Sequence, residues 1–272
     1  MTDLARSNPT GRFSGLEDLY ARFRPSYPSA AIDLILQRCG LGGPNDLLAD
    51  IGCGTGISSR LFAAHGVPVL GIEPNEEMRR RAEREPIPSG GTAPIYRSGR
   101  AEATGLTDGS VAAVLAAQAF HWFDGPAALL EFHRILRPAG WVALVWNERD
   151  ETDPGTEAYG TVIRTAPDTA AIEGPRGRAG EILLDSPLFE DAERLRFHNE
   201  QDLDEEGILG RAFSASYAPR EPAAANAFAQ ALRDVFARFQ RDGTMILRYE
   251  TTVYLARRRN VLASEAVHVS DR

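Results

Sequence analysis

LLADIGCGTGISSRLF, residues 47–62, is the stretch that decides the fold. Its first five residues are typical of a short buried strand, and the apolar residues after Thr55 recur at the spacing of a helix. Between the two, Gly52, Gly54 and Gly56 bend the chain. A strand, a glycine turn and a helix N-terminus together present backbone N–H groups to an anion. The candidate anions are a dinucleotide pyrophosphate, a nucleotide phosphate and a carboxylate.

The glycine spacing disfavours the two phosphate ligands. A dinucleotide fingerprint needs a third glycine where this chain has Ile57 or Ser59, depending on the register. A phosphate loop needs a lysine, but all 30 basic residues of the chain are arginine. Instead, Asp50 precedes the turn, and Glu73 follows the next predicted strand, where a carboxylate can accept hydrogen bonds from ribose hydroxyls. The pattern favours a ligand-binding turn over a purely structural one.

Strands and helices alternate on both sides of this turn. We predict strands at 67–74, 93–99, 111–118 and 141–147, and helices at 15–24, 29–39, 75–84 (capped by Asn75) and 125–140 (ended by Pro138 and Gly140). Beyond Asn147 we expect helices near 156–166, 203–212 and 223–241, and strands near 193–198 and 245–257. The alternation predicts a doubly wound, mostly parallel α/β sheet, with a cap inserted before its last strands.

Composition narrows the class of partner. The 272 residues carry a net charge of -8, which argues against nucleic acid and anionic membrane surfaces. We find neither a transmembrane run nor a signal peptide, and the two cysteines, Cys39 and Cys53, form no disulfide framework. No cluster of side chains has the spacing of a metal site. We therefore expect a cytoplasmic protein without a metal, and leave open whether it is a homo-oligomer.

The motifs taken together resemble those of class I S-adenosylmethionine-dependent methyltransferases of type 11. DIGCGTG (50–56), GIEPNEEM (71–78), SGRAEATGLTDGSVAAV (98–114) and HRILRPAGWVAL (133–144) follow the family's order. YARFRPSYP (20–28) is similar to the lead-in of trans-aconitate methyltransferase and related small-molecule enzymes. The resemblance implies a seven-stranded Rossmann-like fold with four parts: an N-terminal helical cap (1–40), a cofactor-binding core (41–150), acceptor-cap helices with the last strands (151–257) and a loose tail (258–272).

The resemblance also implies the cofactor, S-adenosylmethionine, and its contacts. Gly52 and Gly54 let the backbone approach the methionine portion, while Asp50 orients the turn or binds the ammonium group. Glu73 binds the ribose, and Gln118 lies beside the ammonium group through its backbone. The adenine is surrounded by Pro74, Met78, Ala101 and Glu102, although Arg100 stands where many members have an aspartate. Tyr20, Arg24 and Tyr27 close over the cofactor, with Arg24 pairing its carboxylate.

The acceptor is expected at the carboxyl ends of strands four and five, in AFHWFD (119–124) and WNERD (146–150). His121 is the candidate general base, and shaping of the pocket is an equally open role. Glu148 and Glu173 are candidate bases or stabilisers of a carbocation. The expected acceptor contacts are Trp122, Trp146, Arg149 and Tyr217. Arg149, Arg164, Arg176 and Arg178 either belong to a solvated loop, the favoured interpretation, or include a clamp for a carboxylate or phosphate, for which Arg149 is preferred. The helix end that follows them carries Arg211, Ser214 and Ser216.

These expectations describe an enzyme that methylates a small molecule, either an anionic compound or a metabolite of a natural-product pathway in secondary metabolism. Methylation at oxygen, nitrogen and carbon all stay open. A non-catalytic cofactor sensor and a cofactor-bound cyclase are alternatives on the same fold.

Overall fold

The structure is a computed structural model that describes residues 13–87, 89–174 and 179–260. Most of the predicted loose tail, together with Arg176 and Arg178, lies outside these ranges.

A single seven-stranded sheet organises the chain. The strands are β1 (Leu48–Ile51), β2 (Val69–Ile72), β3 (Ile95–Arg97), β4 (Val111–Ala117), β5 (Leu136–Arg149), β6 (Phe189–Leu203) and β7 (Met245–Arg258). Their order in the sheet is β3-β2-β1-β4-β5-β7-β6. Strands β1 to β5 pair in parallel, whereas β7 runs antiparallel to both β5 and β6. The predicted doubly wound, mostly parallel seven-stranded α/β fold is confirmed.

Helices cover both faces of the sheet. The described α-helices are α1 (Glu17–Phe23), α2 (Ser29–Cys39), α3 (Ile57–Ala64), α4 (Glu76–Arg84), α5 (Gly125–Ile135), α6 (Pro154–Arg164), α7 (Thr169–Glu173), α8 (Glu181–Leu184), α9 (Glu205–Phe213) and α10 (Pro222–Phe239). The apolar sides of α2 and α3 pack on one sheet face, and those of α5 and α8 pack on the other. In the described part of the chain, no helix is both long and apolar enough to cross a membrane.

A third apolar cluster forms a cap at one end of the sheet. It joins α6, α7, α9, α10 and the start of β7 around the fully buried Tyr159, Ile208 and Leu232. Two chain segments build this cap, one between β5 and β6 and the other between β6 and β7. Helix α1 packs against α9, which brings the N-terminal lead-in and the cap together.

The bounds of several elements differ from the sequence prediction, and those of α5, β5 and β6 differ most. Helix α5 ends at Ile135, and β5 begins at Leu136 instead of residue 141. The helix ends early because Pro138 disfavours helical backbone at the residue before it, and because the fully buried Leu136 pairs with Val111 of β4. Strand β6 is far longer than the predicted 193–198, since it pairs with β7 along most of its length.

Candidate active site

The glycine turn lies at the carboxyl end of β1, where the backbone has to reverse within a few residues. Gly52, Gly54 and Gly56 all adopt positive φ, at 70°, 56° and 75°, a region that favours glycine. A Cβ on Gly52 would lie 2.8 Å from Ala119 Cβ, so the turn packs directly on the segment after β4. A Cβ on Gly54 would lie 3.7 Å from Met78 Cε, and both residues line a cleft. Glycine therefore keeps this cleft open to a ligand that contacts backbone.

Asp50 fastens the turn to the helix that follows it. Its Oδ2 accepts hydrogen bonds from Ser58 Oγ at 2.7 Å and Ser59 Oγ at 2.6 Å, in the first turn of α3. The side chain is fully buried, and this burial raises the pKa of the carboxyl from its ordinary value to about 6. Asp50 does not belong to the cleft lining. Of the two roles expected for it, the geometry supports orientation of the turn.

Glu73 holds the opposite side of the turn and faces the cleft. Its Oε2 accepts the backbone N–H of Gly54 at 3.0 Å, and its Oε1 accepts that of Asn75 at 2.8 Å. Burial raises the pKa of the Glu73 carboxyl, against the effect of these two backbone donors. Each carboxylate oxygen has a second lone pair, so both can still accept a hydroxyl hydrogen.

The rest of the cleft is built from the carboxyl ends of β2 and β4 and from the lead-in. All the predicted cofactor residues except Asp50 line it, namely Tyr20, Arg24, Gly52, Gly54, Glu73, Pro74, Met78, Ala101, Glu102 and Gln118. The space measures about 1120 Å³, a figure that includes open solvent. A concave site lined by both apolar and polar side chains suits a small-molecule ligand.

Hydrogen bonds hold the cleft walls in place. Glu102 Oε1 accepts the backbone N–H of Asp124 at 2.9 Å, while its Oε2 lies 3.6 Å from the largely exposed Arg100. Gln118 adopts an unusual positive φ of 57°, and its backbone N–H donates to Val145 O of β5 at 2.7 Å.

The lead-in contributes a stacked pair. The guanidinium carbon of Arg24 lies 4.6 Å from the centre of the Tyr20 ring, and Arg24 Nη2 donates to Ser214 O at 3.1 Å. Arg24 thus joins α1 to the end of α9 across the mouth of the cleft.

Comparisons with known proteins agree with this geometry. Residues 49–144 match the family described as "Methyltransferase domain". An uncharacterized methyltransferase of Mycobacterium tuberculosis is 37% identical over 151 residues, which make up 56% of this chain and 58% of that protein. A solved structure from Anaeromyxobacter dehalogenans, a candidate type II methyltransferase, superposes with a TM-score of 0.58 at 26% identity. That match covers 87% of this chain and 98% of the other.

Residues 49–144 thus resemble a methyltransferase domain, and the chain is similar in sequence and fold to methyltransferases. A further relative, the malonyl-[acyl-carrier protein] O-methyltransferase of Serratia marcescens, is 29% identical over 143 residues, 50% of this chain and 54% of that protein. The chain therefore spans little more than half the length of these curated relatives.

The cleft fits S-adenosylmethionine, the cofactor of the methyltransferases that the chain resembles. Two carboxylates, Glu73 and Glu102, line one part of the cleft, and Glu73 accepts the backbone N–H of Gly54. A pyrophosphate would meet like charge there, whereas ribose hydroxyls can donate to the carboxylates. On the other side, Arg24 offers a cation suited to the carboxylate of the methionine portion.

His121 lies outside the lining of this cleft. It lies in a short 3-10 helix, Phe120–Trp122, and is buried. The indole Nε1–H of Trp146 donates to His121 Nδ1 at 3.3 Å, and the His121 ring packs beside Trp122 at 5.0 Å between centroids. Trp122 lines the cleft, whereas neither His121 nor Trp146 does. Trp146 is 1% exposed and packs in the sheet core against Tyr254.

Arg149 and Glu173 bind each other. Arg149 Nη1 and Nη2 donate to the two carboxylate oxygens of Glu173 at 3.1 and 2.6 Å. Tyr217 OH also donates to Glu173 Oε1, at 2.6 Å, and Glu151 lies 3.4 Å from Arg149 Nε. The predicted clamp and one predicted base therefore form a closed ion pair that joins β5 to α7 and the cap. Of this group, Tyr217 borders a small polar side chamber of the cleft.

The other predicted acceptor residues are dispersed. Glu148 lies on β5 opposite Glu250 of β7 and lines neither the cleft nor its side chamber. Arg164 is half-exposed and pairs with Glu151. No group of three or more His, Cys, Asp or Glu side chains in the described ranges is arranged to hold a metal ion.

Two cleft residues had little weight in the sequence analysis. Phe13 packs edge-on against both Tyr20 and Trp122, at centroid distances of 5.9 and 5.8 Å, and covers the cleft. Arg211 of α9 lines the cleft from the cap and is 7% exposed. The signal for Arg211 was its position three residues after the buried Ile208, on the inner side of an amphipathic helix.

Proposed function

We propose that this chain transfers the methyl group of S-adenosylmethionine to a small-molecule acceptor bound between the sheet and the cap. The observation that carries the proposal is one continuous cleft, lined by the glycine turn, Glu73, the lead-in and the cap residue Arg211. The cofactor residues implied by the resemblance line one part of the cleft, and Arg211 of α9 lines it from the cap.

The reaction requires alignment and the exclusion of water more than acid or base groups. When bound, the cofactor supplies an electrophilic methyl group that an acceptor lone pair displaces, leaving S-adenosylhomocysteine and a proton from any protonated nucleophile. Gly54 and Glu73 bind and orient the nucleoside and its amino-acid tail. Phe13, Tyr20 and Trp122 form an aromatic cover that keeps water from the reacting atoms.

His121 acts in this proposal by holding Trp122 in the cleft wall. Its Nδ1 already accepts the Trp146 indole N–H, and its side chain is outside the lining. Glu173 is likewise engaged by Arg149 and Tyr217. An acceptor whose nucleophile is already ionised, or is a neutral amine, suits such a cleft because it needs no general base.

The partner is proposed to be a metabolite and not a macromolecule. The net charge of -8 disfavours nucleic acid and anionic membranes. A cytoplasmic location and a role in secondary metabolism are part of the same proposal.

Cofactor binding and turnover test the proposal separately. S-adenosylhomocysteine should raise the melting temperature, whereas NAD should not, because a ligand stabilises the state it binds. Glu73→Ala should weaken S-adenosylhomocysteine binding in calorimetry by about 1–3 kcal/mol, the usual range for hydrogen bonds to a charged group. Glu83→Ala, at an exposed position of α4, is the matched control.

Incubation with methyl-labelled cofactor and a panel of metabolites then tests catalysis. Label appearing in an acceptor, with an equal amount of S-adenosylhomocysteine by mass spectrometry, is the expected result. Tight cofactor binding without transfer to any acceptor would instead favour a sensor.

A further inference from the structure

Arg211 is a buried cation for which the described part of the chain supplies no anion. Its side chain is 7% exposed, and Arg211 Nε is buried without a hydrogen-bond partner. Within the described ranges, no carboxylate forms an ion pair with it. Arg149 makes an instructive contrast, because it is similarly buried but held by both oxygens of Glu173.

The surroundings of Arg211 are polar, and no described carboxylate pairs with it. Tyr159, Tyr217 and Tyr249 are near enough to interact with it electrostatically, and so is the like-charged Arg149. The Tyr159 hydroxyl is also buried without a hydrogen-bond partner. The Nε of Arg211 and a phenol hydroxyl are therefore both left unsatisfied on the inner side of the cap.

A buried charge without a partner is strongly unfavourable. Such groups persist in folded proteins mainly at sites where a ligand completes them. Arg211 lines the cleft, so a ligand there can reach it.

The charges of the cofactor decide which ligand this is. S-adenosylmethionine has one carboxylate, together with a cationic sulfonium and a cationic ammonium group. Three arginines line the described cleft, namely Arg24 from the lead-in, Arg211 from the cap, and Arg100. The Arg100 side chain is 70% exposed, so Arg24 and Arg211 are the two that are shielded from solvent. One carboxylate matches one arginine, and Arg24 lies on the lead-in that covers the cofactor side. Binding of the cofactor alone would leave Arg211 unmatched beside added positive charge.

We infer that the acceptor carries an anionic group, a carboxylate or a phosphate, and that Arg211 binds it. This inference rests on the proposed function and specifies its substrate class. A guanidinium group suits both anions because it donates two parallel hydrogen bonds. Arg211 is then a specificity-determining residue at the cap end of the cleft.

The first test measures anion binding without knowledge of the acceptor. Malonate and inorganic phosphate are titrated in the presence of saturating S-adenosylhomocysteine, with chloride at equal ionic strength as the reference. At least one of them should raise the melting temperature of the wild type by several degrees, and the two arms distinguish carboxylate from phosphate. Arg211→Gln should abolish the shift, and Arg211→Lys should retain part of it. Arg84→Gln, an equal change of charge at an exposed position of α4, should behave as the wild type.

The second test determines which of the two arginines, Arg24 or Arg211, binds the amino-acid portion of the cofactor. S-adenosylhomocysteine is compared with methylthioadenosine, which lacks the amino-acid portion. Arg24→Gln should weaken binding of the first at least tenfold and leave the second unchanged, whereas Arg211→Gln should leave both unchanged.

The third test uses turnover of carboxylic acids and their amides, and of phosphate esters and their alcohols. The anionic member of a pair should be the better acceptor, and Arg211→Gln should raise its KM at least tenfold with little change in kcat.

Four results would overturn the inference. They are an anion shift that survives in Arg211→Gln, no shift with either anion in the wild type, preference for the neutral acceptor, and loss of S-adenosylhomocysteine but not methylthioadenosine binding in Arg211→Gln. Failure of the wild type to bind S-adenosylhomocysteine would instead refute the proposed function, and the anion titration without cofactor would still decide the role of Arg211. Should Arg211→Gln fail to fold, Arg211→Lys provides the same comparisons with a retained charge.

Discussion

Replacing Arg211 by methionine should stabilise the free protein. The guanidinium group is 7% exposed and its Nε is unsatisfied, so folding removes it from water without giving it an anion. An unsatisfied buried polar group costs about 1–3 kcal/mol, and more when it is charged. Methionine keeps most of the apolar stem that packs against the cap. We therefore expect the free energy of unfolding to rise by about 1–3 kcal/mol.

The expected change in the free energy of unfolding corresponds to a shift in Tm that depends on the size of the domain. Domains of 150–250 residues gain roughly 2–4 °C in Tm per kcal/mol, so an increase of at least roughly 2 °C is expected. Differential scanning calorimetry in chloride buffer, free of cofactor and of polyvalent anions, measures it.

Arg149→Met is the matched comparison, with the same substitution and the opposite expected sign. It leaves Glu173 without its bidentate partner, which should cost on the order of 3 kcal/mol. A Tm of Arg211→Met equal to or below that of the wild type would refute the reasoning that Arg211 is an uncompensated charge.

Three further predictions concern the walls of the cleft. Burial raises the pKa of Asp50 to about 6, so protonation of this carboxyl stabilises the folded state. The resulting contribution to the free energy of unfolding is fully present below about pH 4 and is lost as the pH rises through 6. Urea unfolding from pH 4 to 7.5 should show the wild type losing about 3 kcal/mol relative to Asp50→Asn, and parallel curves would contradict the assignment. His121→Asn should raise the acceptor KM while the pH profile keeps its form; a loss of turnover of roughly 100-fold or more, with a flattened acidic limb, would show that His121 is a base after all. Asn147→Ala should weaken S-adenosylhomocysteine binding several-fold in calorimetry, although Asn147 is outside the cleft lining. The reason is that the Asn147 side chain hydrogen-bonds both Ser26 of the lead-in and Thr251. Unchanged affinity would show that the lead-in does not depend on these hydrogen bonds.

The fold could be predicted closely where local signals are strong. Asn75 caps α4 through the Met78 N–H, as its position before a charged helix indicated. Helix α2 spans 29–39 as predicted, because its apolar spacing and the Pro28 and Gly40 boundaries agree.

Boundaries that depend on partners elsewhere in the chain could not be predicted. Strand β6 carries charged residues at many of its positions, which local propensity disfavours in a strand. It extends from Phe189 to Leu203 because β7 supplies the pairing partner, and the residues of β6 alone do not indicate that length.

The candidate site divides in the same way. The cofactor residues follow strand ends within a few positions, so that sequence order and parallel pairing bring them together. The acceptor side depends on which face of each cap helix turns inward, and that is settled by packing among α1, α6, α9 and α10. Arg149 is positioned by β5 as expected, but its role depends on Glu173, whose approach the sequence order does not indicate.

The fates of Arg149 and Arg211 show how a binding site can be separated from a stabilising ion pair. Both arginines are buried near the same tyrosines, and both lie close to the cap. Arg149 pairs with the carboxylate of Glu173 in α7, which accepts two hydrogen bonds from the guanidinium group and neutralises its charge. Among the described residues, the groups that interact most strongly with Arg211 are tyrosine hydroxyls and another cation, and no carboxylate pairs with it. A protein whose 38 acidic residues outnumber its 30 basic ones has no general shortage of carboxylates. The absence of one beside Arg211 in the described structure is therefore a property of the cleft, and it points to the acceptor as the source of the missing anion.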